Sequence, residues 1–171
     1  MIPPINLKKW IDDNRELLKP PVCNKVIYED TDTIVMIVGS PNIRLDYHVN
    51  HTEELFYQIE GDITLTIREN NRAKDIDIKE GEIFLLPPSI PHSPQRPKGT
   101  VGLVVERTRP DKMLDEFEWY CLNCNEKLYQ ETLELKNIVK DLPPIFERFY
   151  NNDEHCTCKS CGTKQEKIIN N

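Results

Sequence analysis

The chain has 171 residues and sets 22 Lys and Arg against 29 Asp and Glu, a formal net charge of −7 at pH 7. That length suits one ordinary domain with a small appendage, and the acidic balance argues against nucleic acid as a partner, which needs a basic face. No apolar run approaches the roughly 18 residues that cross a bilayer. The start, Met1-Ile2-Pro3-Pro4, lacks a basic stretch leading into an apolar one, so no membrane partner is expected and the cytoplasm is the expected compartment.

Residues 6–18 read as a helix. Asn6 is a candidate N-cap, Leu7, Trp10, Ile11, Leu17 and Leu18 fall on one face, and Lys19-Pro20-Pro21 stops it. From about residue 24 to 107 the pattern changes to short strands: Val26–Glu29, Thr33–Val38, Arg44–Val49, Leu55–Ile59, Ile63–Arg68, Asp75–Ile78, Ile83–Leu86 and Val101–Glu106. Ile63-Thr64-Leu65-Thr66-Ile67 alternates as a half-buried antiparallel strand does. Strands in this number without an intervening helix predict a double-sheet sandwich or barrel. Residues 108–120 read as a charged connector, and Asp141-Leu142-Pro143-Pro144 as the opening of a short helix with Ile145, Phe146, Phe149 and Tyr150 on its face.

Two stretches carry chemistry. In the first, His48 closes a strand and Glu54 opens the next; in the second, His92 follows Pro87–Pro91 where a strand leaves its sheet. Two imidazoles and a carboxylate suit a first-row divalent metal and leave coordination positions open. A lone strand histidine is more often a hydrogen-bonded core residue, and it is the spacing that favours ligation. Arg44 lies four residues before His48 and Arg96 four after His92. Each arginine alone fits a rim salt bridge; together they suit bidentate recognition of a carboxylate.

Of the 6 cysteines, Cys121-Leu122-Asn123-Cys124 and Cys158-Lys159-Ser160-Cys161 form two Cys-x-x-Cys knuckles, a strong signal for a tetrahedral thiolate site for Fe or Zn. Asn125 and Gly162 follow as residues that tolerate the left-handed turn. Cys23, Cys156 and His155 stand apart from that set. The full thiolate shell predicts a structural role, and the pattern resembles rubredoxin.

The first stretch resembles the leading cupin motif through His48, Glu54 and Gly61, with Asn50 where a second histidine would stand. The second resembles the following motif through Gly81, Pro87 and His92, with Ser89 for Gly and Arg96 for Asn. His51 is then a rim or outer residue, since neighbouring strand residues point to opposite faces. More narrowly, Val35–Asn42, Arg44, Asp46-Tyr47-His48, Glu53–Gln58, Leu86-Pro87, Pro91–Pro94, Val104–Arg107 and Lys19–Val22 with Asn24 resemble the 3-hydroxyanthranilate 3,4-dioxygenase family.

The resemblance implies a mostly β cupin double-stranded β-helix, or jelly-roll barrel, with an N-terminal helix over residues 1–110. Residues 111–171 would be a small C-terminal segment carrying the four-cysteine site and packed on the barrel. It implies Fe(II) on His48, Glu54 and His92; Arg44, Arg96 and Glu106, with Glu54, at the substrate and dioxygen; and Asn24, Asp46, Phe56 and Pro94 lining the cavity. Either arginine could meet the carboxylate. The implied reaction opens the ring of 3-hydroxyanthranilate with both atoms of dioxygen, giving 2-amino-3-carboxymuconate semialdehyde, a quinolinate precursor for NAD synthesis from tryptophan. A homodimer is expected. The competing readings are a non-catalytic metal cupin that binds a small acid and, from the cysteines, a zinc ribbon for nucleic acid, which the charge disfavours.

Overall fold

The computed structural model describes residues 3–136, 138–168 and 170. α1 (Leu7–Asn14) is capped by the Asn6 side chain, which accepts from the Lys9 amide at 3.0 Å, and runs into a 3-10 turn at Arg15–Leu18. Eleven strands follow: β1 (Asn24–Val26), β2 (Thr33–Val38), β3 (Asp46–Val49), β4 (Glu54–Glu60), β5 (Ile63–Glu69), β6 (Arg72–Ile78), β7 (Ile83–Leu86), β8 (His92–Gln95), β9 (Val101–Arg107), β10 (Asp115–Tyr120) and β11 (Lys127–Leu133). The helices α2 (Ile138–Tyr150) and α3 (Asp153–Cys156) complete the chain.

The strands form two antiparallel sheets, ordered β1-β2-β9-β4-β7 and β11-β10-β3-β8-β5-β6. Their facing sides make the main core: Met36, Val38, Phe56, Leu86 and Val104 from one sheet meet Ile63, Leu65, Ile67 and Ile78 from the other. This is the expected sandwich, with inward apolar residues alternating with outward polar ones. On β5 and β6 the outward residues pair directly, Thr64 Oγ1 to Asp77 at 3.0 Å and Thr66 Oγ1 to Asp75 at 2.7 Å. Ile37 points the other way from Met36 and Val38 and is covered by Ile11 and Leu18 of the N-terminal helical segment. Leu17, expected on the same face, is instead 51% exposed, because the tighter 3-10 turn rotates it away from α1's buried stripe.

β1 falls at Asn24–Val26, ahead of the expected Val26–Glu29, and three strands lie where the sequence reading placed none. β8 holds Pro94, which has no N–H for a ladder; the strand forms nonetheless, pairing with β5 from Gln95 to His92 and with β3 through one residue pair, His48 opposite His92. β10 lies in the stretch read as a charged connector. Its acids are paired rather than solvated: Asp115 binds His48 and Arg109, and Glu118 binds Lys127 and Tyr120. β11 follows it, so hydrogen bonding continues without a break from the barrel strand β3 through β10 to β11.

α2 also begins a turn before the expected Asp141. Pro143 and Pro144 therefore fall inside it, while Asp141 Oδ2 accepts from the Lys136 amide at 3.0 Å just ahead of the helix. The face named from the sequence is the one that packs: Ile145 and Phe149 are fully buried against Phe117 and Trp119 of β10, with the Trp119 and Phe149 rings stacked at 4.6 Å. Phe149→Ala removes that ring from a closed cluster, and the unfolding free energy from denaturant titration is expected to fall by about 3 kcal/mol or more. A loss near zero would mean that α2 is not held by this face.

Candidate active site and a four-cysteine centre

Two strands of the six-stranded sheet and one of the five-stranded sheet converge at the barrel mouth. His48 on β3 and His92 on β8 are direct cross-strand partners, and Glu54 opens β4 in the opposite sheet. Their ligating atoms lie within 4.8 Å of one another. Backbone and side-chain partners set the two tautomers. His92 Nδ1 donates to the Ile90 carbonyl at 3.0 Å, leaving Nε2 as the acceptor. His48 Nε2 donates to Asp115 Oδ2 at 2.7 Å, leaving Nδ1. Fixing one ring nitrogen in this way is how a protein prepares the other for a metal. Phe117 stacks on the His48 ring at 4.9 Å and holds its plane.

Glu54 Oε2 supplies the test of whether a cation fits. It is buried and makes no hydrogen bond, although it lies 3.1 Å from His92 Nε2. Two ligands at adjacent positions, each about 2.1 Å from one metal, would be about 3 Å apart, so the spacing is that of a shared ion. The field points the same way. Burial favours the neutral acid, and it is positive charge on His92, then on His48 and Arg109, that draws the Glu54 pKa down; imidazoles kept neutral by a metal would leave that part to the ion. A buried carboxylate kept charged needs a cation beside it.

The two arginines are in different electrostatic states. Arg44 precedes β3 rather than belonging to it, and its Nε reaches both oxygens of Asp46, at 3.2 and 3.1 Å, while Nη2 bonds the same carboxylate. Arg96 is 1% exposed, and its Nη1 donates to Gln58 Oε1 at 3.2 Å; among the described residues it has no carboxylate partner. Gly102 makes room for it, since a Cβ there would stand 2.7 Å from both Arg96 Nη1 and Gln58 Oε1. Burial, and after it the neighbouring Arg44, pull the Arg96 pKa down to about 10 against the attraction of Glu54, so it stays charged at neutral pH.

Glu106 ends the row. Its Oε2 accepts from Asn50 Nδ2 at 2.8 Å and lies 2.9 Å from Arg109 Nη2. Burial, and then the charge of Glu54, raise its pKa. Asn50, standing where a cupin would have its second histidine, thus serves Glu106 rather than the metal group. His51 is exposed, with Nδ1 3.1 Å from Ser89 Oγ.

Asn24, Arg44, Phe56, Pro94, Arg96 and Glu106 line the same cavity as His48, Glu54 and His92. Asp46 is not in that lining and stands behind Arg44. The sequence reading did not anticipate Phe117 from β10, Leu135 from the segment leading into α2, or Leu142 from α2 itself, which close the cavity from the C-terminal side. It also missed Arg109 and Asp115. An arginine and an aspartate six residues apart in a charged stretch give no signal of burial.

The four expected cysteines come together at the far end of β10. Cys121 Sγ is 3.5 Å from Cys161 Sγ, and Cys124 Sγ is 3.5 Å from Cys158 Sγ. These are not disulfide lengths, which are about 2 Å. They approach the roughly 3.8 Å edge of a thiolate tetrahedron about 2.3 Å from its metal. Asn125 and Gly162 follow the knuckles with φ of +65° and +75°. The four thiols share their protons unevenly: the hydroxyl and then the amide of Thr163 draw Cys161 down to about 5, while Cys124, against the pull of the Glu126 amide, is pushed up to about 12 by Cys158. Cys156 is buried in the α2 cluster and takes no part in the group, and His155 stacks on Tyr129 at 4.1 Å.

The sequence profile of the 3-hydroxyanthranilic acid dioxygenase family matches residues 1–150. The chain belongs to this family. A protein of Jannaschia sp. named 3-hydroxyanthranilate 3,4-dioxygenase is 53% identical over 158 residues, covering 92% of this chain and 88% of its own. One of the same name from Xanthomonas euvesicatoria pv. vesicatoria is 51% identical over 162 residues, covering 95% and 92%. Among solved structures, a cupin-2 domain protein of Shewanella frigidimarina aligns at 21% identity with a TM-score of 0.49, over 61% of this chain and 94% of that one.

Metal analysis after loading with Fe(II) is expected to give about two equivalents per chain, with a mild chelator taking the open three-ligand site first and the closed thiolate site last. Cys121→Ser should lower both the thermal midpoint and the metal content by one site. Unchanged values for both would show that the four cysteines hold no structural ion.

Proposed function

We infer that the protein is an Fe(II)-dependent ring-cleaving dioxygenase that converts 3-hydroxyanthranilate and dioxygen to 2-amino-3-carboxymuconate semialdehyde. Family membership and relatives of that name at 53% and 51% identity support the reaction. Within the chain, one observation carries it: the buried Arg96 guanidinium, without an acid partner, in the same cavity as a two-histidine, one-carboxylate group.

His48, Glu54 and His92 would hold the iron and leave its other face open. Bound iron would supply Lewis acidity towards the substrate's ring oxygen and the redox chemistry that lets dioxygen react with an aromatic ring. Arg96 takes the substrate carboxylate, because among the described residues it makes no direct ion pair with an acid, whereas Arg44 is paired with Asp46. Arg44 shares its charge with Asp46 and orients towards the dioxygen side as a fixed hydrogen-bond donor. Glu106, with its raised pKa, is suited to accept the proton that the ring hydroxyl gives up. Asn24, Phe56 and Pro94 shape the wall against the flat ring, with Leu135 and Leu142 keeping water out.

The barrel portion, residues 1–110, supplies the iron ligands and both arginines. Residues 111–171 supply Asp115, one apolar wall and the four-cysteine site, which would hold a second Fe or Zn as a staple. The product closes to quinolinate, which would place the enzyme in NAD synthesis from tryptophan. The cytoplasm suits thiols that must stay reduced; among the described residues no helix is long and apolar enough to cross a membrane. A homodimer would cover the edge strand β7, whose Ile83 and Leu85 are 67% and 51% exposed.

Iron-loaded, anaerobically prepared protein is expected to take up dioxygen when given 3-hydroxyanthranilate, with a new near-ultraviolet absorbance. No uptake sinks the reading. Arg96→Ala should cost about 10- to 100-fold in kcat/KM on 3-hydroxyanthranilate, the worth of a charge-assisted hydrogen bond. The same variant should bind 2-aminophenol, which lacks the carboxylate, as the unaltered protein does. Equal losses on both ligands would take the carboxylate away from Arg96. Sedimentation at micromolar concentration is expected to give a dimer, and Ile83→Lys with Leu85→Lys a monomer; a monomer before substitution removes the dimer.

A further inference from the structure

Arg109 is the most deeply placed cation without a role in the chemistry above. It follows β9, its side chain is 4% exposed, and one guanidinium serves two buried acids. Its Nε donates to Asp115 Oδ1 and Oδ2, each at 3.1 Å, and Nη2 reaches Asp115 Oδ2 at 2.8 Å and Glu106 Oε2 at 2.9 Å. Nη1 adds a bond to the Arg107 carbonyl at 3.3 Å. Asp115 in turn accepts from His48 Nε2 at 2.7 Å, and Glu106 from Asn50 Nδ2 at 2.8 Å. The result is an unbroken buried row, Asn50–Glu106–Arg109–Asp115–His48, with the cavity acid near one end and a metal-facing imidazole at the other.

We propose that Arg109 is a positioning residue that couples the orientation of the imidazole of His48, through Asp115, to the orientation of Glu106 in the substrate cavity. This rests on reading His48, Glu54 and His92 as the metal group. The geometry explains why a guanidinium stands here. A carboxylate held only by His48 would turn about its own axis and carry the ring with it; the fork of Arg109 fixes both oxygens of Asp115. The same Nη2 also serves Glu106, so a shift of Glu106 away from it changes the grip on Asp115. An ammonium group has one charged centre and cannot hold a fixed fork on one acid while reaching a second. A role in stability alone is the plainer reading, and a buried ion pair is weak support for it, since such pairs often add little net stability. What a stabilising cluster would not do is transmit a change at Glu106 to the metal.

The test is a double-mutant cycle read on metal binding rather than turnover. Fe(II) affinity is measured by chelator competition, and the ligand field by the visible spectrum of the Co(II)-loaded protein. Asp115→Asn is expected to weaken binding about 10- to 100-fold, as loss of a carboxylate behind a ligating histidine does. Glu106→Gln, at a side chain that makes no contact with the His48 ring, is expected to weaken binding several-fold and shift the Co(II) bands. In the Asp115→Asn background the same Glu106→Gln change should then add nothing, because the link is cut.

A through-space charge effect of Glu106 would persist in that background, so additive losses overturn the proposal; so does a Glu106→Gln protein with unchanged affinity and spectrum. Arg109→Lys should abolish the Glu106→Gln effect while the fold is kept, and if that variant does not fold the cycle still decides. Failure of the unaltered protein to bind a metal through His48 and His92 would instead refute the metal-site reading, and the proposal with it.

Discussion

Glu54 and Glu106 stand directly opposite each other on β4 and β9, both buried. Like charges at facing positions of a sheet repel, and in a low-dielectric interior the repulsion is larger than at a surface. The site can be read as the answer to that one constraint. Glu54 is turned towards two imidazoles and held ionised; Glu106 is turned towards Asn50 and Arg109 and is the one whose pKa rises. Two carboxyl groups of the same type, one strand apart, are pushed in opposite directions by what each faces. That separation is what the roles proposed above, metal ligand for Glu54 and proton acceptor for Glu106, would require.

The C-terminal residues are part of this answer. β10 brings Asp115 behind His48 and lays Phe117 on its ring, and the approach to α2 and its first turns bring Leu135 and Leu142 to the cavity wall. The barrel strands alone would leave the His48 Nε2–H without its acceptor and the Arg109 guanidinium without one of its two acids. The sheet continues from β3 into β10 at the register Phe117 opposite His48, so the strand that closes the pocket is hydrogen-bonded to the strand that carries His48.

What could be read from the sequence divides along physical lines. The grouping of His48, Glu54 and His92 and of the four cysteines was legible because donor-atom residues recur at spacings the backbone can bring together. β2 and β7 were legible to the residue because their apolar runs end at clear breakers. β8 was hidden by Pro91, Pro94 and Pro97, which argue against any strand, although the ladder to β3 asks for only one pair. β10 was hidden by Asp115, Glu116 and Glu118. Buried acids look like solvated ones until their partners are placed, and the partner that sets Asp115 in the site, His48, lies 67 positions away. The leading difference between Arg44 and Arg96 was invisible for the same reason, since it depends on which of them has an acid within reach.

The two metal groups also differ in a way that their donors explain. Three ligands on strand ends leave an open face; four thiolates on two knuckles close theirs. The closed group begins at Cys121, immediately after β10, and is tied to the barrel by Arg68. That side chain donates to Asn125 Oδ1 at 3.1 Å and stacks its guanidinium 3.8 Å above the Tyr120 ring. β10 is six residues long, a span of about 20 Å at the usual rise. One end is fixed by thiolates and the other presents Asp115 to His48. The cysteine group and the His48–Asp115 pair are thus joined through the register of a single strand.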